Sequence, residues 1–233
     1  RQVQEFWADP EKPGLRPQLL AWLTSIREHN QGLRAVLLDP QMNVRLASPE
    51  DKTYFGPIAA AAALKAVQSR QVVFSDLHPS RFSGEIHLDL TIPLVFSTEY
   101  ILSESGGLQA DLSKGEPVGV LCLEVDPYQF LYSHIQDWPT PSPTAETLLI
   151  RREGNDILYL NELRHRKDTA LSLRLPIDQH LNVTGVMAAM GQEGFLEGVD
   201  YRDVPVLAVT RKVPGTEWSL LAKVDREEIE APM

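Results

Sequence analysis

From Glu85 to Phe96 every second residue is a large apolar one. Ile86, Leu88, Leu90, Ile92, Leu94 and Phe96 fall on one side, and His87, Asp89 and Thr91 on the other. A period of two over that length excludes a helix, where apolar positions recur every three or four residues. It specifies a long strand in an antiparallel sheet. The chain's end repeats the pattern: Trp218, Leu220, Ala222 and Val224 alternate with Ser219, Leu221, Lys223 and Asp225. With Val204–Val213 and the turn at Pro214-Gly215, this predicts a half-buried strand pair, followed by a charged helix start at Arg226.

Helices separate these strands. Leu15, Leu19, Trp22, Leu23 and Ile26 share one face of a helix over 15–30 that ends before Gly32. Leu33–Asp39 and Val44–Ala47 read as a strand and its return around Pro40–Asn43. Gly56-Pro57 opens a helix that runs through the alanines Ala59–Ala63 to about Gln68, slim enough to lie close to a sheet. Val72–Phe74, the loop Ser75–Gly84 and the long strand come next, then a polar connection over 97–115 and the strand Val118–Val125. Asp126-Pro127 starts a helix through Ile135.

Pro139, Pro141 and Pro143 alternate in Trp138–Thr144, a stiff extended connector that neither a helix nor a central strand accepts. Beyond it, Thr147–Arg152 and Asp156–Leu160 predict a hairpin around Gly154-Asn155, followed by a short helix near Val183–Met190 and three closing strands. Both halves run strand, strand, helical crossover and three antiparallel strands. The expected class is α/β (α+β): an N-terminal stalk helix over 1–32, a module over 33–138, the connector 139–144 and a second module over 145–230.

Composition narrows the function. A net charge of −10 disfavours nucleic acid and anionic membrane surfaces as partners. Cys122 is the only cysteine, so no intrachain disulfide or Cys-rich metal site forms, and its apolar strand marks it as a buried structural thiol. No apolar run reaches the roughly eighteen residues of a membrane span. The chain opens at Arg1 without an initiator Met or signal peptide, as a segment of a longer protein would. Gly-rich phosphate loops, nucleophile elbows and His-Glu-x-x-His are missing, and no acid/base pair stands out.

Five segments carry a resemblance. They are Ser75-Asp76-Leu77-His78, Glu85-Ile86-His87-Leu88-Asp89-Leu90, Gly115-Glu116-Pro117-Val118-Gly119, Leu163–Ala170 and Glu197-Gly198-Val199-Asp200-Tyr201-Arg202. Together they resemble the double Cache ectodomains of bacterial sensor proteins, over about Leu15 to Ile229 and most specifically in the second half. The resemblance implies a long N-terminal helix carrying two PAS-like modules, the first membrane-distal and the second membrane-proximal. It further implies a periplasmic location, flanking transmembrane helices, and a small-molecule ligand such as a carboxylate, amine or amino acid. The parent is then a sensor histidine kinase, with a diguanylate cyclase or chemoreceptor as alternatives; the chain is no enzyme and needs no cofactor. The Arg-Trp pair and the downstream Tyr and Asp of amino-acid-binding members have no counterpart between Gly56 and Leu123. A stand-alone soluble binding protein or enzyme is the competing reading.

In a PAS-like module the loop before the long strand and one face of the sheet enclose the pocket, which makes Asp76, His78, Arg81, His87 and Asp89 the expected ligand site. Arg81 and His78 suit a carboxylate, and Asp76 and Asp89 suit an amine or hydroxyl. The competing reading makes His87, Asp89 and Thr91 the wet face of the strand. His78, His87 and Asp89 are also of zinc- or iron-binding type, although unrelated surface histidines are commoner and no metal is expected. In the second module Arg164, within Arg164-His165-Arg166-Lys167, is either an anion ligand or solvated. Tyr201 and Arg202 are secondary candidates, with Tyr201 alternatively plugging the core and Asp200 accepting turn amides. A weak homodimer through the helix of Leu15–Ile26 is expected.

Overall fold

A computed structural model of the chain describes residues 2–50, 55–80, 84–97, 100–102, 108–110 and 115–231. The chain divides into two compact units, Arg1–Pro127 and Tyr128–Met233. Among the described residues no helix is long and apolar enough to cross a membrane.

The expected single stalk helix is two helices, α1 (Gln2–Ala8) and α2 (Leu15–His29). Pro10 and Pro13 lack the N–H a helix interior needs, and Gly14 turns the chain at φ +79°. The first unit then runs β1 (Gly32–Leu38), β2 (Val44–Ser48), α3 (Pro57–Ser69), β3 (Val73–Phe74), β4 (His78–Pro79), β5 (Ile86–Phe96), β6 (Tyr100–Leu102), β7 (Leu108–Ala110) and β8 (Glu116–Val125). Its sheet is ordered β2-β1-β8-β5-β3, with β4 also on β5, while β6 and β7 pair as a separate hairpin. Where the sequence predicted only a loop over Ser75–Gly84, β4 folds back so that His78 sits opposite His87.

Helices cover both faces of this sheet. Phe6, Leu15, Leu19 and Leu23 pack with Ala35, Leu37, Leu121 and Leu123 on one side. Each such leucine contributes about 1.5–3 kcal/mol relative to exposure, enough to fix α2 on the sheet. On the other side α3 buries Ala59, Ala62, Ala63 and Ala66, and Ala63 packs with Val36, Leu38, Val120 and Cys122. Alanine adds little bulk, so helix and sheet approach closely. Polar residues of β5 therefore lie beneath α3, out of water: His87 is 3% exposed, Asp89 0% and Thr91 0%. The wet-face reading fails because that face has a helix over it.

The second unit begins before the proline-rich segment. A wide helical turn over Tyr128–Tyr132 and α4 (Ser133–Gln136) belong to it, held by buried Tyr132, whose hydroxyl donates to the Leu160 carbonyl. Next come β9 (Glu146–Glu153), β10 (Asp156–Tyr159), β11 (Arg174–Pro176), α5 (Thr184–Ala189), β12 (Gly194–Val199), β13 (Pro205–Lys212), β14 (Trp218–Asp225) and α6 (Arg226–Glu230). The sheet order is β11-β10-β9-β14-β13-β12. Both sheets thus place their first strand between the second and the last, so the two units repeat one antiparallel plan. Leu148, Ile150, Ile157, Tyr159, Val186 and Leu221 form the second core beneath α5. The buried side of β14 is Ser219, Leu221, Lys223 and Asp225, the more polar of its two sides.

Candidate functional site

Strand register builds the site in the first unit. Arg34 of β1 pairs with Glu124 of β8, and Glu124 pairs with Asp89 of β5. In antiparallel sheets, residues opposite one another point to the same face, so the three form a polar row under the start of α3. The Arg34 guanidinium lies 3.1 Å from Glu124 Oε1, with little of either side chain exposed. That ion pair engages Glu124, and among the described residues Arg34 makes no such contact with Asp89.

Two histidines meet Asp89 from the side. His87 precedes it by two residues on the same face, and β4 delivers His78 opposite His87, with ring centroids 4.2 Å apart. His78 Nε2 is 3.6 Å from Asp89 Oδ2, and His87 Nε2 is 3.4 Å from Glu124 Oε1. His78 is oriented from behind, its Nδ1 lying 2.9 Å from the Asp76 carbonyl. A carbonyl only accepts, so that nitrogen carries the proton.

The two ends of the Asp89 carboxylate differ, and Ser75 lies against this residue. Its backbone N–H donates to Ser75 Oγ at 2.7 Å, and the Cys122 thiol approaches Oδ1 at 3.8 Å. Oδ2 is buried without a hydrogen-bond partner among the described residues. Burial pushes the Asp89 carboxyl above its ordinary range, against the pull of His87 and His78 and with added push from Glu124. Burial and the neighbouring Asp89 likewise push the Cys122 thiol well up, which makes it an inert core group rather than a nucleophile.

These groups open on a cavity of about 250 Å³, lined by Arg34, His78, Ser80, His87, Asp89 and Glu124, with Gly56–Ala59 at the start of α3. The N-cap of α3 is Gly56, which has no side chain to cap the first turn, and the positive end of the helix dipole faces that wall. The cavity therefore offers a cation and helix amides to an anionic group, and carboxylate and imidazole to a cationic or metal centre.

Of the residues expected from sequence, the fold brings His78, His87 and Asp89 together. Asp76 does not line the cavity: its Oδ1 accepts from the Leu77 N–H at 2.8 Å and its carbonyl positions His78. Arg81 lies outside the described residues. Arg34, Glu124 and the start of α3 were missed. The signal was present for the first two, since Arg34 is the single charge of β1 and Glu124 follows the apolar run Val118–Leu123.

The secondary candidates separate in the second unit. Arg164 lines an open cleft of about 740 Å³ with Trp138, Glu146, Glu162, Lys167 and Asp168, and its guanidinium donates to the Ala145 carbonyl at 2.7 Å. Tyr201 and Arg202 belong instead to a closed network. Lys223 Nζ contacts Asp200 at 2.7 Å and Glu146 at 3.1 Å, and the Tyr201 hydroxyl donates to Glu146 at 2.9 Å. Arg202 bridges Asp200 and Asp225 at 2.7 and 2.5 Å. Asp200 Oδ1 also accepts from the Arg202 N–H at 2.7 Å, a turn amide as the sequence suggested. With its charges paired internally, the network reads as a structural staple.

No protein-family model matches the sequence, and a search of curated proteins finds no relative. Solved structures do match. The ligand-binding domain of the Pseudomonas aeruginosa PAO1 amino-acid chemoreceptor PctB, in complex with L-Arg, superposes with a TM-score of 0.58 at 15% identity, over 99% of this chain and 86% of that one. The Campylobacter jejuni Tlp3 ligand-binding domain with 4-methylisoleucine gives 0.59 at 12% identity, over 99% and 82%. The extracellular domain of the histidine kinase rpHK1S-Z16 gives 0.57 at 12% identity, over 99% and 85%. The chain shares the mixed α/β fold of these ligand-binding and extracellular domains, in keeping with the Cache-like architecture that the sequence resembles.

Proposed function

We propose that the chain is the extracytoplasmic sensing part of a membrane-anchored signalling protein and that its ligand enters the cavity of the first unit. The observation that carries this is the convergence of Arg34, His78, His87, Asp89 and Glu124, from four strands, on one cavity beneath a helix. A structural ion pair needs two such groups. Five gathered around unfilled space is the pattern of a binding site. A volume of about 250 Å³ suits a compact molecule, and the mixed charges suit one bearing both carboxylate and amine. Neighbours of the same fold in complex with asparagine, L-Arg and L-alanine support that class.

Signalling follows from the sheet. Arg34 and Glu124 face the cavity, while Ala35 and Leu123, one residue along, carry α2 on the opposite face. A ligand that favours one packing of the sheet on α2 shifts the balance between two arrangements by its differential affinity. The output is a histidine kinase or a chemotaxis receptor, both represented among the neighbours. Trp22 remains 37% exposed on α2, the place for a weak homodimer contact.

A thermal-shift screen of carboxylates, amines and amino acids tests the reading. A ligand at about 100 times its dissociation constant adds about 2.7 kcal/mol, a shift of several degrees. Arg34→Gln and Asp89→Asn abolish that shift. A hit unaffected by both substitutions takes the site elsewhere, and a screen without hits removes the small-molecule reading.

A further inference from the structure

Around Asp89 the described residues leave one buried acceptor oxygen without a donor. With its Nδ1 donating to the Asp76 carbonyl, His78 presents its Nε2 to Asp89 Oδ2 across 3.6 Å. Oδ2 is itself buried and without a hydrogen-bond partner among the described residues. His87 stands beside them, with its Nδ1 3.4 Å from the Glu85 carbonyl. Two electron-rich atoms pointed at each other in a dry place repel, unless a proton or a metal cation lies between them.

The three side chains can each bring one donor atom within 4.8 Å of the others. Resting on the sensing reading of the same cavity, we infer that His78, His87 and Asp89 bind a divalent transition-metal ion of the zinc class. Two imidazoles and one carboxylate suit zinc in donor type, and His78 already has the backbone hydrogen bond that typically fixes a ligating imidazole with Nε2 free. Arg34 strengthens the assignment by neutralising Glu124, so Asp89 is the acidic partner left for the ion. Three protein ligands leave a coordination position for water or for a donor atom of a small molecule in the cavity.

The network in the second unit makes the contrast. There Lys223 and Arg202 already supply cations to Asp200, Glu146 and Asp225. Only the His78, His87 and Asp89 cluster combines a metal-type donor set with an orphaned buried oxygen among the described residues.

The test uses the chain stripped with a chelator and titrated with zinc chloride against a chromophoric zinc indicator. The wild type takes up about one zinc ion per chain, while His78→Gln and Asp89→Asn each weaken it about tenfold or more. His165→Ala, on the surface, leaves uptake unchanged. Cobalt(II) gives a second measurement that needs no variant: its visible bands intensify in a low-coordinate site with nitrogen ligands and stay weak if it remains hydrated. Failure to bind zinc, affinity retained in both variants, or a hydrated cobalt spectrum overturns the site. Repeating the organic-ligand screen on chelator-stripped protein separates the two readings. Hits there with no zinc uptake refute the metal and preserve the small-molecule site; zinc uptake without organic hits does the reverse.

Discussion

Lys223 Nζ lies 2.7 Å from Asp200 Oδ2, and neither side chain reaches solvent. A charge so placed is tolerable only with its partners, which here include Glu146 and, at 3.7 Å, Asp225. Removing the lysine leaves buried carboxylates uncompensated. Lys223→Met, which keeps the apolar stem, is expected to destabilise the chain by about 3–5 kcal/mol in urea unfolding. A loss below the experimental error would mean that water reaches these carboxylates and that the network is no staple.

The same pair sets an acid limit. Burial alone would raise the Asp200 carboxyl, but hydrogen bonds from Arg202 and Lys223 outweigh it and hold the group below its usual 3.8. A carboxyl lowered on folding adds stability above its unfolded value and loses it as pH falls through the folded one. Asp200→Asn should therefore be less stable than wild type at pH 7, with the gap narrowing below about pH 4. Urea melts at several pH values measure this, and a gap constant from neutral to strongly acidic pH would contradict it.

Gly119, in β8, sits at φ +154°, and a Cβ there would come within 2.5 Å of the Leu38 carbonyl oxygen. Backbone atoms cannot swing aside as a flexible side chain does. Gly119→Ala should thus cost about 1–3 kcal/mol and lower the Tm by several degrees. An unchanged melting curve would show that β1 and β8 can separate locally without penalty.

Local periodicity made the elements legible. The alternation of Glu85–Phe96 and Trp218–Asp225, the apolar face of Leu15–Ile26 and the alanine run of Ala59–Ala63 all appear as strands and helices close to the expected limits. Pattern says which residues share a side and is silent on what covers that side. His87 and Asp89 on β5, and Lys223 and Asp225 on β14, look like solvent-facing residues in a one-dimensional reading, yet α3 and the second core enclose them.

The stalk shows the opposite balance. Pro10, Pro13 and Gly14 carried the break between α1 and α2 in plain view, but the strong helical face from Leu15 onward obscured it. The site needed more than any segment holds. His78, Asp89, Glu124 and Arg34 lie on four strands, and only the pairing of β4 with β5, β5 with β8 and β8 with β1 brings them together. Sequence alone determined the long strands, the helices α2 and α3 and the His87-x-Asp89 face, because those follow from side-chain periodicity along one segment. Tertiary structure decided that this face is buried, that Glu124 has Arg34 beside it and that Asp89 Oδ2 has no hydrogen-bond partner among the described residues, because burial and charge pairing depend on neighbours distant in the chain.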